Sequence, residues 1–327
     1  MSNSTSATTG DAVDAAVVDW LLEGDPAIRW QVKRDLLDAL SAEVEAERAK
    51  IATEGWGRAL LSEQAGDGSW GGGLYNPKWT STFYTLLLLK VMGLPPGNEQ
   101  ARGAAELLFE RGRRADGGLN FTSSTPISVS RPGRGRVSEL CITGMGLGML
   151  ATYLDDASRA ESLVGCLLAA QLPDGGWNCR RHSSHGSFHT TISALEGLRD
   201  WSAAAGATPA VEEAAARGHE FFLAHHMFRS HRTGEVAKPA FTRFAFPCHW
   251  YYDVLRGLDY FQSVNAPRDE RLSDAIDLLG SKRGSDGRWH MQNRHRGHEY
   301  FVMEPNGEPS RWNTQRALRA FRWWESR

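Results

Sequence analysis

Four short turns of one composition punctuate the chain: Gly66-Asp67-Gly68-Ser69-Trp70, Asp116-Gly117-Gly118-Leu119, Asp174-Gly175-Gly176-Trp177 and Ser285-Asp286-Gly287-Arg288-Trp289. The step from Gly68 to Gly117 is 49 residues, from Gly117 to Gly175 it is 58, and from Gly175 to Gly287 it is 112, two units of 56. Self-similarity of this kind means one supersecondary unit repeated, each copy burying its apolar face on its neighbours. The unit hidden between 175 and 287 falls near residue 231, where Arg232-Thr233-Gly234-Glu235 carries the turn with Thr in place of Asp.

Apolar stretches of helical period precede the turns, and a second set follows them. The second helices are predicted over residues 80–92, 138–153, 187–201, 247–261 and 310–324, several opening on Ser, Thr or Pro as helix starts do. Residues 26–40, after a short helix around Val17 to Leu22, make a sixth. No strand pattern competes. Six steadily curved helix pairs close, so the expected fold is all-α: an (α/α)6 toroid of inner and outer helices around a central cavity. It is expected to span residues 13–327 as one domain, with 1–12 as a disordered tail. The second helices are rich in small and aromatic residues; most aromatics are expected in the core, and a minority lining the cavity.

The formal charge of -2 over 327 residues argues against nucleic acid as a partner. The longest apolar run, Thr85 to Leu89, stops at Lys90, far short of the roughly 18 residues a membrane span requires. The Ser/Thr-rich first ten residues carry no basic residue and lack a secretory layout, so a cytoplasmic location is expected. Four cysteines are too few for a disulfide framework and are read as core residues, nucleophiles or ligands.

The segment Gln171-Leu172-Pro173-Asp174-Gly175-Gly176-Trp177 resembles the Gln/Trp-rich repeats of squalene and hopene cyclases and the Gly-Gly turns of protein prenyltransferase β subunits. The cyclases' Asp-x-Asp-Asp motif is missing. The prenyltransferases hold zinc with an Asp-x-Cys pair and a His at the heads of successive inner helices. Glu139-Leu140-Cys141 and Phe188-His189-Thr190-Thr191 are similar, with Cys179 in place of a further Asp. The resemblance implies Zn2+ on Cys141, Cys179 and His189, with Glu139 contributing only from a helix cap, since residues two apart on a helix point to nearly opposite sides. It also implies an apolar small-molecule substrate, possibly an isoprenoid, with a diphosphate held by Arg134 and Arg136.

The expected function is a zinc-dependent transferase, cyclase or hydrolase acting in an aromatic cavity. Asp253, His249 and Glu139 are the candidate catalytic groups, and Trp79, Tyr84, Trp250, Tyr251 and Trp312 line the substrate. Three alternatives stand beside it: a metal-free, acid-initiated cyclase or isomerase, a non-catalytic toroid that binds lipid or protein, and a carbohydrate-processing enzyme using two carboxylates.

Overall fold

The computed structural model describes residues 14–121 and 137–326, and its secondary structure is helical, without strands among the described residues. The helices are α1 (Ala15–Leu22), α2 (Pro26–Asp35), α3 (Ser41–Ala49), α4 (Gly55–Ser62), α5 (Thr82–Met92), α6 (Glu99–Gly112), α7 (Leu140–Tyr153), α8 (Glu161–Ala169), α9 (Phe188–Ala205), α10 (Pro209–Ala224), α11 (Val254–Ser263), α12 (Ser273–Ser281) and α13 (Arg311–Glu325). Their starts follow from side-chain oxygens that satisfy free amides of the first turn. Asp14, Asp25, Asn98, Thr208, Asp253 and Ser310 each cap a helix this way. The predicted tail, residues 1–12, and Arg134 and Arg136 lie outside the described residues.

Every predicted turn is present. Gly68, Gly117, Gly175 and Gly287 have φ between 77° and 86°, the left-handed region open to glycine. Gly175 has a second reason to lack a side chain, because a Cβ there would lie 2.1 Å from the Arg217 carbonyl on α10. The disguised unit also folds as a turn, with Gly234 at φ 70° and Ser230 N–H donating to the Glu235 carbonyl.

After each of the four Asp-Gly turns the chain is fixed by its second helix. The amides of Trp70, Leu119, Trp177 and Trp289 donate to the hydroxyls of Thr82, Thr143, Thr191 and Thr314 at 2.9–3.0 Å. The three indoles donate back to Leu60, Leu167 and Leu279 on the preceding helices, and all three rings are fully buried. Gln64 and Gln171 each reach their own turn and also a carbonyl of the next unit, at Gln100 and Ala214.

The second helices are neighbours in succession: α5 packs on α7, α7 on α9, α9 on α11, α11 on α13, and α13 on α2. The Trp30 indole of α2 donates to the Met92 carbonyl at the end of α5. One hydrophobic core runs from Val17 to Trp323. The closest pairing is α7 with α9, where glycines let the two backbones touch: a Cβ on Gly197 would lie 2.2 Å from the Gly144 carbonyl.

Two second helices are shorter than predicted. The first ends at Asp35, not Leu40, and α11 begins at Val254, not Pro247. Asp253 is the reason for the second, because its Oδ1 caps the Arg256 amide at 2.8 Å and its Oδ2 accepts from the Ala245 amide at 3.0 Å, holding residues 247–253 as a turn. Asp253 and His249 therefore precede the helix they were expected to occupy.

Candidate functional site

An open cavity of about 760 Å3 is lined by side chains from all six second helices, α2, α5, α7, α9, α11 and α13. Its wall is charged. Arg34, Arg48, Lys90, Arg199, Arg256, Arg316 and Arg319 face Asp35, Glu196, Asp200 and Asp259, seven cations against four anions. Arg256 holds Glu196 with two bonds, 3.0 and 2.6 Å, joining α11 to α9. Arg319 reaches Asp259 at 2.7 Å and Asp35 at 3.0 Å, joining α13 to α11 and α2, while Lys90 pairs with Asp200. Burial pushes Asp259 upward, yet Arg319 and Arg316 outweigh it and hold the carboxyl below its usual range; Arg199 and Lys90 do the same for Asp200. Both stay ionised at neutral pH, so the three-cation excess persists. Trp312, Phe246, Leu87 and Leu88 supply an apolar part of the wall.

The aromatic candidates gather elsewhere, at the starts of the second helices. Trp79 stacks on His249 at 3.9 Å, Trp250 on Tyr251 at 3.8 Å and Tyr251 on His295 at 3.8 Å, while Tyr84 meets Trp79 edge-on and shares a 2.8 Å hydroxyl bond with Tyr75. The Lys78 ammonium lies 5.1–5.9 Å from the rings of Tyr75, Trp79, Tyr84 and Trp250, so the chain fills this aromatic box with its own cation. Backbone bonds between Lys78, Trp79 and His298 dock the 295–298 loop against it. Of the five aromatics predicted to hold substrate, Trp312 lines the large cavity and Trp79 a small one of about 40 Å3 shared with His249; Tyr84, Trp250 and Tyr251 line neither.

The catalytic candidates are placed as follows. Both oxygens of Asp253 are engaged by backbone amides, and burial raises its carboxyl pKa. His249 is lowered well below the usual imidazole value by burial, then by His295, Arg256 and Lys78, which makes it a weak base. Glu139 sits at the N-cap position of α7, where its side chain makes no capping bond.

Cys141 and Cys179 do meet. The Cys141 amide donates to Cys179 Sγ at 3.2 Å and the Thr190 hydroxyl does so at 3.4 Å. Hydrogen bonding with the Cys141 thiol, against the opposing effect of burial, brings Cys179 down to about 7, while Cys141 is raised. His189 is committed differently: its Nδ1 accepts the Tyr252 amide at 2.8 Å, so in the neutral ring the proton sits on Nε2 and neither nitrogen offers a free lone pair. Among the described residues no three His, Cys, Asp or Glu side chains are grouped to hold a metal ion. As arranged here, the Tyr252 amide and not a metal shared with Cys141 and Cys179 engages His189 Nδ1.

The charged belt and Lys78 escaped prediction. A signal existed: Arg256 and Asp259, and Arg316 and Arg319, fall three apart on helices that are otherwise buried, a spacing that puts each pair on one face.

No family model matches the sequence, and no curated protein matches it. Among solved structures the chain is similar to a protein from Actinoplanes, at 18% identity over 96% of this chain and 100% of that one, with a TM-score of 0.50. That likeness concerns the fold alone.

Proposed function

We propose that the chain is an (α/α)6 toroid enzyme of the terpenoid cyclase and prenyltransferase type, whose central cavity takes an anionic small molecule with an apolar body. An isoprenoid diphosphate is the class that fits. The observation carrying this reading is the three-cation excess on a cavity walled by all six second helices. Guanidinium forks match phosphate oxygens, and cations fixed in advance by Glu196 and Asp259 stabilise the charge that develops as a diphosphate departs, without reorganising. Trp312 and Phe246, stacked at 3.8 Å, give the apolar body a face to lie on.

The test is calorimetric titration of the full chain with geranylgeranyl diphosphate, inorganic pyrophosphate and the matching alcohol, with zinc measured in the same preparation. Both diphosphates should bind more weakly as salt rises, and Lys90→Met should weaken them by about tenfold, the scale of one charge-assisted bond. Failure of either diphosphate to bind the folded chain would overturn the reading. Binding without turnover would make the toroid a carrier and not an enzyme.

A further inference from the structure

We propose that Cys141 and Cys179 form a redox-active dithiol, a modification site at which a hydroperoxide closes a reversible disulfide between the start of α7 and the loop ahead of α9. The inference does not use the cavity reading. It rests on three observations. The Cys179 sulfur lies 3.2 Å from the backbone nitrogen of Cys141, and the two thiols hydrogen-bond each other, which makes the two sulfurs neighbours as a disulfide requires. That sulfur receives hydrogen bonds from an amide at the N-terminus of the 14-residue α7 and from the Thr190 hydroxyl, both of which favour thiolate. The third observation concerns His189, whose Nδ1 accepts the Tyr252 amide and is therefore turned to that backbone and not to the two sulfurs.

The other cysteines lack this arrangement. Cys166 is buried against Ser138, and the Cys248 thiol donates to the Ala245 carbonyl, its pKa pushed up to about 12 by burial. Cys141, Cys179 and Cys248 are all half-buried, so it is the shared hydrogen bonding of Cys141 and Cys179 that sets this pair apart.

The steps balance. The Cys179 thiolate attacks one peroxide oxygen, the O–O bond breaks, and the leaving hydroxide takes up a proton as water, which leaves a sulfenic acid. Cys141 sulfur then attacks Cys179 sulfur, the S–O bond breaks, and the departing hydroxide leaves as water with the Cys141 proton. Two thiols lose two electrons and two protons, and hydrogen peroxide becomes two waters.

The experiment treats the full chain with stoichiometric hydrogen peroxide, alkylates the remaining thiols and maps peptides by mass spectrometry, with zinc content recorded beforehand. The expected product is one Cys141–Cys179 disulfide, formed before Cys166 or Cys248 reacts and reversed by dithiothreitol. In Cys141→Ser, Cys179 should accumulate as a dimedone-trappable sulfenic acid, which reads out the attacking sulfur without needing the bridge. Oxidation of Cys166 or Cys248 first, Cys179 sulfinic acid without a disulfide in the wild type, or stoichiometric zinc protecting both thiols would each overturn the proposal.

Discussion

A single hydroxyl at each of the four Asp-Gly turns decides whether a buried amide is paired. Thr191 takes the Trp177 amide at 2.9 Å in a site closed to water, so Thr191→Val, nearly the same shape, leaves that N–H without a partner. The expected loss is about 1–3 kcal/mol of stability, read by denaturant unfolding. Trp177→Ala should cost more, about 3–5 kcal/mol, since it removes a fully buried ring and its bond to Leu167. The Trp and Asp-Gly positions were legible because their chemistry is local: a left-handed glycine and an Asp side chain two residues before the amide it caps. The state of His189 was not legible, because the amide that fixes its tautomer comes from Tyr252, 63 positions on, and no spacing reports that.

Helix pairing shows what glycine does at two kinds of site. Gly197 of α9 lies against the Gly144 backbone, so Gly197→Ala must push two helices apart and should destabilise by about 1–3 kcal/mol. Gly165 of α8 has open space where its Cβ would be and no left-handed φ, so Gly165→Ala should stabilise by about 0.4–1 kcal/mol through the unfolded chain. Thermal melts of the two variants should move in opposite directions. The small residues expected in the second helices include Gly144, Gly146 and Gly148, all buried on α7. The start of α11 was not legible, because Asp253 occurs in a sequence that looks equally helical on both sides, and its capping role depends on Ala245 approaching from the preceding loop.

For the molecule as a whole, protonation couples to stability through imidazoles that the fold keeps neutral. His189, His219 and His295 are each lowered to about 4, first by burial. A folded value below the unfolded 6.5 means the unfolded chain binds protons first, so stability is full above 6.5 and falls as pH drops toward 4. Denaturant midpoints should therefore decline across that window. His219→Gln should flatten the decline; an unchanged slope would show that His219 contributes nothing to it. The all-helical class and the repeat were readable because periodicity needs only neighbours in sequence. The polarity of the cavity was not, because its charges are gathered from α2, α3, α5, α9, α11 and α13, and none of these helices supplies more than three of them.

The clasp between α13 and α2 sets an order of assembly. Arg319 bonds Asp35 and Gln31, 284 and 288 positions earlier, and Arg311 bonds the Trp20 carbonyl. During synthesis the first two helices therefore leave the ribosome long before α13 exists, and α2 packs on α3 while Asp35 and the Trp20 carbonyl still lack their guanidinium partners from α13. Any fragment that stops short of residue 311 stays in that unfinished condition, and it should be found with chaperones or degraded.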